Sequence, residues 1–235
     1  MAKIAILGFG TVGSGVAEVL TKNAGSIARK AGEPVEIKYI LGRHDYPDSP
    51  FRTLVVQDFS VIENDPEISV VAECIGGTGA AREYTLRALK AGKSVVTSNK
   101  EVVAEYGDEF FAIAREKNVN YLYEASVGGG IPIIRHLGSC LAANEISEIY
   151  GILNGTTNYI LTKMIKEGLP FDTALKQAQE KGYAEADPTA DVEGFDACRK
   201  ICILASLAFG RHIVPAQVPT QGITRVTAED VVLAE

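Results

Sequence analysis

The feature that most constrains this chain is Gly8-Phe9-Gly10-Thr11-Val12-Gly13, a G-x-G-x-x-G run close to the start of the sequence. It follows Lys3–Leu7, which reads as a β-strand, and opens Val12–Lys30, which reads as a helix. In that setting the glycines have separate tasks. Gly8 permits a tight turn, Gly10 lets the backbone approach a pyrophosphate, and Gly13 lets the helix pack close to the strand. The first turn of the helix then points its free amides at the phosphates. Strand, glycine loop and helix in this order predict a dinucleotide site at Gly8, Phe9, Gly10, Thr11, Val12 and Gly13. A glycine turn with no ligand is the plainer alternative.

The alternation continues downstream. Val35–Leu41, Ser69–Ile75, Ser94–Thr97 and Asn120–Tyr123 read as strands, with helices at Arg82–Lys90 and Asp108–Lys117. Strands alternating with helices at this spacing mean an α/β fold with a Rossmann-type, doubly wound parallel sheet. The acidic residue usual after the second strand is missing, since the sequence there runs Leu41-Gly42-Arg43-His44. An arginine suits a 2′-phosphate and a carboxylate a free ribose hydroxyl, so Arg43 favours NADP, with NAD still possible. An ordinary surface role for Arg43 stays open.

Past Glu124 the character changes. Gly128-Gly129-Gly130 marks a joint, followed by a helix from Pro132, a strand at Glu145–Leu153, and helices at Tyr159–Lys166, Asp172–Lys181 and Phe195–Phe209. This places a dinucleotide-binding domain over residues 1–125 and an α+β substrate and dimerisation domain over 126–235. A hydrophobic share of 46% with 23% charged residues excludes a disordered or fibrous chain. A net charge of −7 argues against nucleic acid or an anionic membrane as partner, so an anionic ligand must be held locally. The longest apolar run, Ile201–Phe209, is too short to cross a bilayer, and the one after Met1 is too short for a signal peptide. The four cysteines form no C-x-x-C pair, so the expectation is a reduced, cytoplasmic protein.

Three further segments carry candidate chemistry. Thr97-Ser98-Asn99-Lys100 ends a strand at the ligand-binding edge of such a sheet. There Lys100 either reaches nicotinamide or a substrate carbonyl, or follows a helix cap as a solvated lysine. Glu124 and the glycine-rich stretch to Pro132 either ligate a hard cation through oxygen or form a plain hinge. In the acidic stretch from Ala178 to Lys200, Asp196 and Lys200 stand four apart on one helical face. They form either an acid–amine pair able to bind a polar substrate and move a proton, or an exposed helix salt bridge.

Together these segments resemble homoserine dehydrogenases. The family signature Ala-x3-Gly-(aromatic/aliphatic)-small-x2-Asp-Pro-x2-Asp-aliphatic-x-Gly-x-Asp-x3-Lys is matched by Ala178, Gly182, Tyr183, Ala184, Asp187, Pro188, Asp191, Val192, Gly194, Asp196 and Lys200. Gly8–Val16, Ser98-Asn99-Lys100, Glu124–Pro132 and Asn154-Gly155-Thr156-Thr157-Asn158 also look like family blocks. The resemblance implies reversible, NAD(P)-dependent reduction of L-aspartate 4-semialdehyde to L-homoserine, on the route to threonine, methionine and isoleucine. It assigns Lys200 as proton donor, Asp196 and Glu185 to the substrate, and Lys100 to a place near cofactor and substrate. It also gives cofactor contacts to Gly76, Gly77, Ser98 and Gly182. A monovalent cation, usually sodium, would lie at Glu124 with the carbonyls of Val127, Gly129 and Ile131, and the protein would be a homodimer. Family members run on well past Gly222-Ile223-Thr224, often into an ACT domain, so a shortened or minimal form is expected here. Two rivals stand beside this reading: an inactive cofactor-binding fragment, and a two-domain reductase of another small semialdehyde.

Overall fold

In the computed structural model, which describes residues 1–227, 229, 230 and 233, six strands build one parallel sheet. They are β1 (Ala2–Leu7), β2 (Val35–Leu41), β3 (Val55–Val56), β4 (Ile68–Glu73), β5 (Ser94–Thr97) and β6 (Tyr121–Leu122), in the order β3-β2-β1-β4-β5-β6. The order reverses between β1 and β4, which is the switch point of the doubly wound fold. Ile4, Ala5, Ile6 and Leu7 are all buried, as a central parallel strand covered on both faces requires. Five helices serve this sheet: α1 (Thr11–Lys22), α2 (Ala24–Ala31), α3 (Phe59–Glu63), α4 (Gly79–Lys90) and α5 (Lys100–Lys117).

The chain divides into two compact units, Met1–Arg135 and His136–Glu235. The first runs past the composition break at Glu124 for a local reason. The Glu124 carboxylate accepts hydrogen bonds from the backbone N–H groups of Ile133, Ile134 and Arg135, tying that segment back to the sheet domain. Elsewhere the helix expected over Val12–Lys30 is two helices. Asn23, at φ −104° and ψ 15°, leaves the helical region between α1 and α2. β3 and α3 carry no periodic signal because each spans too few residues. Asp58 caps α3 by accepting from the Ser60 N–H at 2.8 Å.

Helices dominate the second unit: α6 (Gly155–Glu167), α7 (Phe171–Glu180), the short α8 (Thr189–Val192) and α9 (Phe195–Phe209). Its core gathers Ile160, Ala174, Ala178, Ala184 and Val192, with Tyr159, Leu169, Phe171 and Ile223 packed around them. Where a helix was expected from Pro132, a π-helical turn forms at His136–Cys140. The expected strand at Glu145–Leu153 is not formed, and the described residues of this unit are helical and irregular rather than α+β. All six strands belong to the first unit, and a β-rich segment with no neighbour cannot close its backbone hydrogen bonds. Tyr150 and Ile152 are accordingly exposed.

Candidate functional site

The parallel sheet puts the ends of β1, β2, β4 and β5 on one edge, and with them Gly8–Gly13, Arg43, Gly76, Gly77, Ser98 and Lys100. Two glycines of the loop are fixed by sterics. Gly8 has a φ of +88° and sits against the Cys74 carbonyl, where a Cβ would lie 3.0 Å from the oxygen. A Cβ on Gly13 would collide with the Gly8 carbonyl oxygen, so α1 approaches the loop closer than any other residue allows. Gly10 faces open space, with nothing within 4 Å of its missing Cβ. Arg43 is exposed just beyond β2, as contact with a 2′-phosphate requires.

Beside the glycine loop lies a residue that the sequence pattern gave no reason to choose. Glu73, at the end of β4, is fully buried opposite Leu7 of β1. Its carboxylate accepts from the Ile75 N–H at 2.6 Å and from the Thr97 hydroxyl at 2.6 Å. Burial pushes its pKa above the usual carboxylate range, and these two hydrogen bonds only partly offset that. Asn99 completes the frame. Its Nδ2 donates to the Ile75 and Gly77 carbonyls at 2.9 and 2.8 Å, while its Oδ1 caps α5. Asn99 thus caps α5, and Lys100 stands half-buried at the first position of that helix. The frame holds Gly76 and Gly77, the latter at a φ of +72°, along the same edge.

Glu124 is heavily committed. Oε1 accepts from Ile133 and Ile134 at 2.7 and 2.9 Å, and Oε2 from Arg135 at 2.9 Å. Desolvation raises its pKa, but these three N–H donors prevail and the net shift is downward. One acceptor direction remains on Oε2 for a further partner. Among the described residues no group of three or more His, Cys, Asp or Glu side chains could hold a metal ion.

The second unit brings together part of its expected set. Gly182, at a φ of +73°, ends α7 as a left-handed cap, and the Tyr183 N–H turns back to Ala178 O at 2.8 Å. Gly194, at a φ of +83°, turns the chain from α8 into α9. This turn brings Asp191 and Asp196 to one side chain, Asn154: its Nδ2 donates to Asp191 Oδ1 at 2.7 Å and to Asp196 Oδ2 at 2.8 Å. Asp196 is 2% exposed and pairs with Lys200, Nζ to Oδ2 at 2.7 Å. Lys200 also donates to Leu153 O at 3.0 Å. The pair is thus an i, i+4 helix salt bridge with a buried aspartate and a partly buried lysine, braced from outside its own helix. Glu185 stays exposed, with its backbone carbonyl held by Gln179 Nε2 at 3.1 Å. No helix among the described residues is long and apolar enough to cross a membrane.

The chain matches two family profiles in succession: "Homoserine dehydrogenase, NAD binding domain" over residues 8–124 and "Homoserine dehydrogenase" over 132–235. The structure of a homoserine dehydrogenase from Thiobacillus denitrificans superposes with a TM-score of 0.92 at 44% identity, covering 99% of this chain and 55% of that one. That of a putative homoserine dehydrogenase from Archaeoglobus fulgidus gives 0.87 at 36% identity, over 100% of this chain and 76% of that one. A hyperthermophilic archaeal homoserine dehydrogenase in complex with NADPH gives 0.80 at 29% identity, over 96% and 74%. The chain spans about half the length of the curated relatives it matches. Two family profiles that together cover most of the chain, and solved relatives at 36% and 44% identity, place it: the chain belongs to the homoserine dehydrogenase family.

Proposed function

We propose that this chain carries the reaction machinery of an NAD(P)-dependent homoserine dehydrogenase, interconverting L-aspartate 4-semialdehyde and L-homoserine. The observation that carries the reading is the pairing of buried Asp196 with partly buried Lys200, which stand at the signature positions of the resemblance. A nicotinamide cofactor supplies the hydride. Lys200 then has the task that remains: its Nζ stabilises the negative charge developing on the aldehyde oxygen and delivers a proton there. Asp196, anchored through Oδ2, aims that ammonium. Glu185 is exposed and free to face the ammonium of an amino-acid substrate.

The first unit's part is the nucleotide, with Gly8, Phe9, Gly10, Thr11, Val12 and Gly13 at the pyrophosphate and Gly76, Gly77, Ser98 and Lys100 completing the contacts. Arg43 supports NADP over NAD, as does the NADPH bound by the archaeal relative. The reading extends to a monovalent cation, sodium by resemblance, at the carbonyls of Val127, Gly129 and Ile131 with the open direction on Glu124. No chemical step runs through it. A cytoplasmic homodimer serving threonine, methionine and isoleucine synthesis completes the proposal.

Homoserine-dependent reduction of NADP or NAD by the purified chain, beside a cofactor titration, is the test. Lys200→Ala and Asp196→Ala lose most turnover while cofactor affinity stays close to wild type. Turnover near wild type in both variants would sink the assignment. Cofactor binding with no turnover favours the fragment reading, and turnover only on another alcohol favours a different reductase.

A further inference from the structure

We infer that Asn154 is a positioning residue that fixes the Asp196–Lys200 pair, an inference that rests on the dehydrogenase reading above. The residue is 7% exposed, and its side chain works in three directions. Oδ1 accepts from the Thr157 N–H at 2.8 Å, capping α6. That contact fixes which way the amide points, because only an oxygen can accept from a backbone N–H. Both hydrogens of Nδ2 therefore face carboxylates, Asp191 Oδ1 at 2.7 Å and Asp196 Oδ2 at 2.8 Å.

The Asp196 oxygen that accepts from Asn154 is the one that accepts from Lys200. Lys200 in turn is held by the carbonyl of Leu153, the residue just before Asn154. A single dipeptide thus grips both members of the pair, the aspartate by its amide and the lysine by its carbonyl. Spacing within α9 brings Asp196 and Lys200 to one face, but an i, i+4 pair alone leaves both side chains free to rotate. The grip from Leu153-Asn154 removes that freedom. The amide also stands between two carboxylates that would otherwise repel, and charge-assisted hydrogen bonds of this kind are the strong ones.

Among the described residues Asn154 donates to Asp191 on α8 and Asp196 on α9, and Lys200 on α9 pairs with the same Asp196 oxygen. Glu193, at the joint of α8 and α9, turns instead to the Thr224 hydroxyl at 3.4 Å. On the α6–α7 side, Lys163 and Lys181 lie over the Tyr159 ring.

Two substitutions separate the grip from the cap. Asn154→Asp and Asn154→Ser both keep an oxygen able to cap α6, and these residue types are about as good as asparagine in that position. Neither can donate to both carboxylates. If Asn154 only capped the helix, Asn154→Asp would be as stable as the parent or more so, since a carboxylate suits a helix N-terminus. With the grip, it sets a third carboxylate against Asp191 and Asp196, and its pKa in the folded state rises. The melting temperature then falls below wild type at pH 8, and the gap narrows as the pH drops to 5 and the new carboxyl takes up a proton.

In the turnover assay both variants lose about ten- to hundredfold in kcat with NADPH affinity unchanged. Asn154→Asp regains part of its loss on acidification, and Asn154→Ser does not. Melting of Asn154→Asp at or above wild type from pH 5 to 8, or turnover of both variants within twofold of wild type, overturns the inference. If the parent chain reduces no aspartate semialdehyde, the dehydrogenase reading fails by itself and the melting comparison still decides whether Asn154 grips the pair.

Discussion

The three glycines of the α1 entrance make a prediction in which one chemical change, Gly→Ala, has three different outcomes. At Gly13 the added Cβ meets the Gly8 carbonyl oxygen well inside 3.0 Å, the approach below which something must move. The obstacle is backbone and cannot swing away, so α1 must withdraw from the loop by about 1 Å, at the upper end of the overpacking range, about 3 kcal/mol. Alanine's better helix preference offsets about 1 kcal/mol of this. The remainder, about 2 kcal/mol, lowers the melting temperature by roughly 4–8 °C for a chain of this size. Gly15→Ala, in the same helix with nothing within 4 Å, gains about 0.5–1 kcal/mol and melts slightly higher. Gly10→Ala also meets nothing within 4 Å, so it folds as the parent does. On the proposed nucleotide reading its methyl group stands where the pyrophosphate approaches, and nucleotide affinity falls by about tenfold or more. Thermal melts and a fluorescence titration with NADPH read all three. Gly13→Ala melting at or above wild type, or Gly10→Ala binding NADPH normally, refutes the division of labour.

Two further outcomes follow from the same sheet edge. Arg43→Ala weakens NADPH by about tenfold or more while leaving NADH nearly unchanged, and equal loss for both cofactors in competitive titrations would remove Arg43 from the 2′-phosphate. Glu73 has a raised pKa in the folded state, so its contribution to stability is complete below the unfolded carboxylate value of about 4.3 and is lost as pH rises through the raised value. Glu73→Gln removes that dependence, flattening the curve by up to about 1.4 kcal/mol per pH unit inside the window. Parallel wild-type and variant curves from pH 4 to 8 would show that Glu73 does not titrate there.

The parts of this molecule legible in the sequence are those whose physics is local. The requirement for glycine at Gly13 comes from the Gly8 carbonyl five residues earlier, so the loop declares itself by composition. The strands β2 and β5 and the helix α9 fall where their apolar patterns place them. Where an element depends on partners, the pattern misleads. The β-rich residues of Glu145–Leu153 have the composition of a strand, but a strand exists only through a neighbour, and the described residues offer it none.

The same division runs through the site. By itself the sequence determined the candidate chemistry: a dinucleotide loop, an arginine suited to a 2′-phosphate, and an acid and an amine four apart on one helix. The tertiary structure decided which of those groups are fixed. It buried Asp196, whose partner Asn154 lies 42 residues earlier in the chain, and made Glu73 a buried carboxyl at the end of β4, opposite Leu7. It also committed most of Glu124 to three backbone amides. These are properties of desolvation and of hydrogen bonds closed across long sequence separations. No local spacing records them, because they come into being only when the chain has packed.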